Sequence, residues 1–167
     1  MTNTAYISVG SNIGDRMAHC KKAVEWMDGR EGIRVATHSR YYFTEPVGFL
    51  DQPWFVNAVF AVETRLDPFA LLEIMQLAQR RHGRKKSALR FGPRVLDLDI
   101  LFYNDMIMED PGLVIPHPRL VERRFVLEPL CDIAPALIHP GLGVSACELL
   151  AGLPRNGPGC VPVGWTQ

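Results

Sequence analysis

Arg90-Phe91-Gly92-Pro93-Arg94-Val95-Leu96-Asp97-Leu98-Asp99-Ile100-Leu101-Phe102 passes from loop to strand within one stretch. Gly92-Pro93 punctuates the chain, and proline is tolerated just before a strand but not inside a central one. Val95 to Tyr103 then reads as a strand, with Leu96, Leu98 and Ile100 on one face and Asp97 and Asp99 on the other. It closes the order strand, helix, strand, strand, helix, strand, which is that of a ferredoxin-like α+β domain: an antiparallel sheet with helices packed on it. The two carboxylates need their own explanation. They stand about 6–7 Å apart along the strand. At an effective dielectric of ~20 such a pair repels by roughly 2–3 kcal/mol, and aspartate is depleted in strands. A hard divalent cation, or a pair of them, removes that cost, because oxygen ligands suit Mg²⁺ and a magnesium pair suits phosphate. A wet strand face with both acids simply solvated accounts for the same pattern.

The segment upstream weighs on that choice. From Ile74 through Leu96 there is no acid, while Arg80, Arg81, Arg84, Lys85, Lys86, Arg90 and Arg94 are all cationic. A basic loop running into paired aspartates supplies what a polyphosphate–metal complex requires, cations for the oxygens and carboxylates for the metal. The charge is local, because the chain as a whole has a formal net charge of +0. That excludes a generally basic nucleic-acid binder.

The other elements follow from periodicity and caps. Thr4 to Gly10 alternates as a first strand, and Gly10-Ser11-Asn12 reads as a turn into a helix striped by Ile13, Met17, Cys20, Val24 and Met27 and ended by Gly29 and Gly32. Ile33 to Tyr42 reads as a second strand, and the loop from Phe43 to Pro53 is longer than a hairpin needs. Trp54 to Thr64 is the clearest strand, with Trp54, Val56, Ala58, Phe60 and Val62 on a core face and Phe55, Asn57, Val59, Ala61 and Glu63 on the other. Asn57 beside an aromatic on one face suits a flat heterocycle with a polar edge, and equally a satisfied polar residue at a sheet surface. Asp67-Pro68 caps a helix that runs to about His82 and closes at Gly83, with Leu71, Leu72, Met75 and Ala78 inward. Asn104-Asp105 turns the chain into a short hairpin return over Met106 to Met108. His117 sits in a proline-locked segment, and Ser145 with Glu148 makes a capping box. The Pro/Gly-rich composition of residues 157–167 leaves the order of that tail open.

At 167 residues, 47% hydrophobic and 22% charged, the chain suits a single soluble domain over 1–167. Cys20, Cys131, Cys147 and Cys160 are scattered without a CxxC pair and read as free thiols in a reducing compartment. With no signal peptide and no long apolar run, a cytoplasmic protein without membrane contact is expected.

The run Phe91-Gly92-Pro93-Arg94-Val95-Leu96-Asp97-Leu98-Asp99-Ile100-Leu101 resembles the signature of the 6-hydroxymethyl-7,8-dihydropterin pyrophosphokinase family. The opening Ala5-Tyr6-Ile7-Ser8-Val9-Gly10-Ser11-Asn12, the loop Thr44-x-Pro46-Val47-Gly48, and His117 followed by Arg123 and Phe125 extend the likeness over most of the chain. The resemblance implies Mg²⁺-dependent transfer of diphosphate from ATP to 6-hydroxymethyl-7,8-dihydropterin, with release of AMP, in folate biosynthesis. It implies two Mg²⁺ ions on Asp97 and Asp99, and charge neutralisation by Arg84, Arg94, His117 and Arg123. Gln76 and Lys86 fall at its ATP positions, Thr44, Pro46 and Val47 in the loop over the pterin, Phe55 and Phe125 at its stacking rings, and Asn57 at the pterin edge. A monomer, with no nucleic-acid partner, is expected. Gln79 stands where the family has Glu, Lys86 where Arg is usual, Phe91 where Trp is common and Pro118 where an aromatic is frequent.

Two other functions share parts of this pattern. A single-stranded RNA-binding module would use the same fold, sheet aromatics and basic loop, but it requires a Lys/Arg-Gly-Phe/Tyr-x-Phe run that is absent and gives the aspartates no role. A nucleotide-sugar transferase could use Asp-Leu-Asp for its metal, though 167 residues are few for donor and acceptor sites.

Overall fold

In the computed structural model, which describes residues 2–83 and 89–164, the chain runs β1 (Asn3–Ser11), α1 (Arg16–Asp28), β2 (Ile33–His38), β3 (Tyr42–Thr44), β4 (Phe55–Thr64), α2 (Pro68–Arg81), β5 (Asp97–Tyr103), β6 (Met108–Asp110), β7 (Leu113–Ile115), α3 (Arg124–Ile133), α4 (Ala146–Ala151) and β8 (Cys160–Pro162). The main sheet has the order β5-β1-β4-β3-β8, with β2 also on β4, and every pairing is antiparallel. The α+β architecture is the expected one.

Apolar alternation decides which face each helix covers. Ile7, Val9, Val56, Ala58, Phe60, Val62, Leu98 and Ile100 join Cys20, Val24 and Met27 of α1 and Leu71, Met75 and Ala78 of α2 in one core. On the opposite face Val59 and Leu101 pack with Val126, Leu127 and Leu130 of α3 and Ala146 of α4. That second layer covers only part of its face. Phe55, Asn57, Asp97 and Asp99, on the same face, lie beyond it and line a cleft.

Local chemistry explains where elements begin and break. Gly14 adopts a positive φ of 66°, and Asp15 then caps α1 by accepting from Ala18 N–H at 3.1 Å. Ile13 therefore precedes the helix instead of belonging to its stripe, and is exposed. Asp67 accepts from the N–H groups of Phe69 and Ala70, with Pro68 at the first helical position. The single strand expected from Ile33 to Tyr42 is two: the register shifts between Val35 and Thr37, and Ser39 leaves the ladder to exchange hydrogen bonds with Val59 through backbone and hydroxyl. Gly10 lies within β1 and not in a turn. Trp54 precedes β4 and is half-exposed, so the core face starts at Val56. The hairpin return onto β5 is not made. Asn104, at φ 47°, is tied to Thr4, and the chain beyond it packs Met106 and Met108 against the first core while β6 pairs with β7. Residues 157–164 are part of the packed structure, because β8 extends the sheet beside β3.

All four cysteines are free, and burial pushes the Cys20 thiol up to about 12. Among the described residues no helix is long and apolar enough to cross a membrane.

One polar latch holds α3 to the sheet. The Tyr42 hydroxyl, on a buried side chain, donates to the Asp132 carboxylate at 2.8 Å, and Arg40 donates to the same carboxylate at 2.8 Å. Burial alone would raise the Asp132 pKa, but hydrogen bonds from Arg40 and Tyr42 outweigh it and hold the carboxyl below its ordinary value. Tyr42→Phe should lower the unfolding free energy by about 1.5–3 kcal/mol, the range for a hydrogen bond to a charged group. Urea denaturation at pH 7 measures it, and an unchanged midpoint would show that the latch contributes nothing.

Candidate active site

The register of β1 brings the candidate residues into one row. Gly10 is opposite Asn57 of β4 on one side and opposite Asp97 of β5 on the other, and Ser8 is likewise flanked by Val59 and Asp99. Asn57 and Asp97 are thus two strand spacings apart, about 10 Å. Between them the missing side chain of Gly10 leaves the floor open. A Cβ there would fall 2.3 Å from Asn57 Oδ1, so any side chain at position 10 must displace the Asn57 amide. Sequence reading gave Gly10 and Ser8 no role in the site, because only the strand pairing places them there.

The resulting cleft is about 740 Å³. It brings together Thr44, Val47, Phe55, Asn57, Arg94, Asp97, Asp99, His117, Arg123 and Phe125, drawn from five separate stretches of chain. Pro46 is not among the lining residues. Gln76 is exposed on α2, one turn beyond Leu72. Leu72 lines a second cavity of about 280 Å³ with Ile100, Leu113, Val114 and Pro118. The two cavities share Asp99 and His117. Arg84 and Lys86 lie outside the described residues.

At the apolar end Thr44 Oγ1, buried, accepts from Asn57 Nδ2 at 2.6 Å. That bond orients the amide with one N–H taken and the rest of its edge available. At the other end Arg94 Nη1 stands 3.6 Å from Asp97 Oδ1. Arg123 is the N-cap residue of α3, its guanidinium 5.4 Å from the centre of the Phe125 ring. Burial lowers the Arg123 pKa while Asp99 opposes the shift. Gln79, at the family's Glu position, is buried, and its Oε1 accepts from Leu98 N–H at 3.2 Å. Its amide therefore supports β5 from behind the aspartates.

His117 is strongly perturbed by the cleft. Burial, then the Arg123 charge, lower its pKa to about 4, with Asp97 pulling the other way. Its Nδ1 accepts from Arg119 N–H at 3.1 Å, so Nε2 carries the proton of the neutral ring. A neutral imidazole with Nε2–H is a hydrogen-bond donor, and it suits an anion without adding a charge.

Two loops at the rim are stitched by Asn12, which is buried. Its Nδ2 donates to Gln52 Oε1 at 2.9 Å and to Pro53 O at 3.0 Å, and its Oδ1 accepts from Arg94 N–H at 2.8 Å. Gln52 in turn donates to Phe91 O at 2.7 Å. Phe91 has φ 59°, and the guanidinium groups of Arg90 and Arg119 both lie over its ring, at 4.9 and 5.0 Å from its centre. No periodicity signals Asn12 or Gln52. They are legible only once the loops meet.

A sequence model of the family described as 7,8-dihydro-6-hydroxymethylpterin-pyrophosphokinase (HPPK) matches residues 6–135. The chain is 44% identical over 153 residues to a 2-amino-4-hydroxy-6-hydroxymethyldihydropteridine pyrophosphokinase of Methylorubrum extorquens, covering 92% of this chain and 95% of that one. It is also 44% identical to the folic acid synthesis protein fol1 of Schizosaccharomyces pombe, covering 92% of this chain but only 21% of that longer protein. In a crystal structure of wild-type Plasmodium falciparum HPPK-DHPS with pteroate, 42% of that chain superimposes on 90% of this one with a TM-score of 0.70 at 16% identity. That likeness is one of fold.

The neutral state of His117 is open to direct measurement. Its folded pKa lies below the unfolded value, so between about 6.5 and about 4 the unfolded chain binds a proton that the native protein does not. The His117 ring resonances should stay unshifted in an NMR titration from pH 7.5 to 5, and His117→Gln should lessen the loss of stability on acidification through that window. A mid-range inflection near pH 6.5 would contradict the lowered pKa.

Proposed function

The chain belongs to the 7,8-dihydro-6-hydroxymethylpterin-pyrophosphokinase family, and from that premise we propose that its cleft transfers the diphosphate of ATP to the hydroxymethyl group of 6-hydroxymethyl-7,8-dihydropterin, releasing AMP, in folate synthesis. One observation carries the reading: a single cleft joins an aromatic slot at Phe55, Asn57 and Phe125 to the charged group of Arg94, Asp97, Asp99, His117 and Arg123. A flat acceptor at one end then presents its hydroxyl to phosphates at the other, across Gly10.

Phe55 and Phe125 hold the pterin ring, and Asn57, oriented by Thr44, pairs with its polar edge in a site sheltered from water. Val47 covers the slot, and Pro46 shapes the loop that carries it. The nucleoside occupies the smaller cavity, with Gln76 one helical turn along α2 from its lining residue Leu72, and the phosphates lie at the junction that Asp99 and His117 line in both cavities. Arg94, Arg123 and the Nε2–H of His117 bind phosphate oxygens, and Arg84 and Lys86 add charge from the basic loop. The acceptor oxygen attacks the β-phosphorus, the bond from that phosphorus to the α,β-bridging oxygen breaks, and AMP leaves with that oxygen. The hydroxyl proton is released. His117 is unsuited to take it, because its Nδ1 is engaged by Arg119 and its Nε2 is already protonated.

Asp97 and Asp99 fit Mg²⁺: both are half-buried oxygen donors on one strand face opening on the cleft. Among the described residues no group of three or more His, Cys, Asp or Glu gathers as a closed cage, so the remaining ligands would be phosphate and water. When bound, two Mg²⁺ ions neutralise phosphate charge and acidify a coordinated hydroxyl. Action as a monomer is part of the same reading, and the four free thiols support a reducing, cytoplasmic setting.

The deciding experiment incubates the protein with Mg-ATP and the dihydropterin and separates the nucleotide products. AMP should form one-for-one with pterin diphosphate, and Asp97→Asn and Asp99→Asn should each lose most turnover without losing fold stability. ADP as product, or either variant at wild-type turnover, would overturn the reading.

The slot is tested separately by binding. Phe55→Ala and Phe125→Ala should each weaken pterin affinity by roughly 1–3 kcal/mol, by analogy with base–aromatic stacking. Gly10→Ala should do the same by displacing the Asn57 amide, with ATP affinity unchanged. Calorimetry with a non-hydrolysable ATP analogue measures all three, and full pterin affinity in both Phe→Ala proteins would remove the sandwich.

A further inference from the structure

The residues that follow α4 build one wall of the cleft, although the family match stops at residue 135. The segment is tied at both ends. On the sheet side β8 pairs with β3, Glu45 N–H donates to Gly159 O at 2.9 Å, and Gly159 N–H donates to Glu45 Oε2 at 2.7 Å. Gly159 also lies against Trp54: a Cβ there would stand 2.9 Å from the indole edge. On the helix side Arg124 Nη2 donates to Pro154 O at 3.1 Å, its other nitrogen held by Glu128 at 3.1 Å. Trp54 is the chain neighbour of Phe55, and Arg124 that of Phe125. The segment therefore bridges the neighbours of Phe55 and Phe125, two residues that line one cleft from different layers, β4 in the sheet and α3 packed on it.

We propose that residues 153–162 form a strap that sets the gap between Phe55 and Phe125, and that Glu45 is the positioning residue that fastens it. The proposal rests on the pterin reading of the slot and deepens it. A gap set by a strap fixes acceptor width without preordering the phosphate end, so loss of the strap acts on pterin and spares ATP. Glu45 acts through an acceptor oxygen on Gly159 N–H, a role that a glutamine amide oxygen can also fill.

Steady-state kinetics of the wild type, Glu45→Ala, Glu45→Gln and a variant lacking residues 154–167 test this, with circular dichroism on each to establish folding. Glu45→Ala and the shortened chain should raise the pterin KM about tenfold, the factor that about 1.4 kcal/mol represents. The ATP KM should hold, and Glu45→Gln should restore most of the pterin KM. Wild-type pterin KM in Glu45→Ala overturns the strap. So does a Glu45→Gln protein as impaired as the alanine variant, which would mean that the carboxylate charge meets the acceptor directly. If the shortened chain does not fold, the two Glu45 variants decide alone. Absence of turnover in the wild type rejects the pterin reading, whereas an active wild type with an unaffected Glu45→Ala rejects only the strap.

Discussion

The antiparallel register of β1 between β4 and β5 is the constraint on which the site depends. It sets Asn57, Gly10 and Asp97 in one row and Ser8 beside Asp99 in the next. A slip of one residue would turn every side chain of β1 to the other face and bury Ser8 and Gly10 in the apolar core. That core holds the register in return, because Ile7 and Val9 are fully buried among Val56, Ala58, Leu98 and Ile100. Distances between acceptor and phosphate groups are thus inherited from hydrophobic packing on the opposite side of the sheet.

The unequal covering of the two sheet faces creates the space. α1 and α2 cover one face, while α3 and α4 cover only the part of the other that carries Val59 and Leu101. The aspartates and the slot residues occupy the remainder. Burial of Asp97, Asp99, His117 and Arg123 is intermediate, and the same partial desolvation has different results for different groups. A histidine with an ordinary value near 6.5 loses its proton, whereas an arginine whose ordinary value exceeds 12 is also shifted down and remains charged. The cleft consequently mixes permanent cations with a neutral donor, which limits cation–cation repulsion when it is empty.

Polar stitching holds the rim where hydrophobic packing is thin. Asn12, Gln52 and Phe91 connect the end of β1 to two loops, and Tyr42 with Asp132 connects β3 to α3. Each network uses side chains that are buried or half-buried, where an unmet hydrogen bond costs more than a met one contributes. The loops are in this way held in register with the strands that carry the site.

Much of this was legible in the sequence. Alternation placed Asp97 and Asp99 on one face and Leu96, Leu98 and Ile100 on the other. Asp67-Pro68 and Ser145 with Glu148 marked helix starts at the positions observed. The resemblance named the family, and most of the residues carried over from it line one cleft. Periodicity and capping are properties of a few neighbouring residues, so a single sequence exposes them. The convergence of Phe55 and Phe125 on one cleft, the open floor at Gly10, the Asn12 stitch and the wall built by residues 153–162 required the tertiary structure. So did the break between β2 and β3, which depends on Ser39 reaching Val59. These features join positions far apart along the chain, where strand register and the seating of helices on the sheet decide which groups touch. No local pattern encodes that choice, because it is made by the burial of the whole core at once.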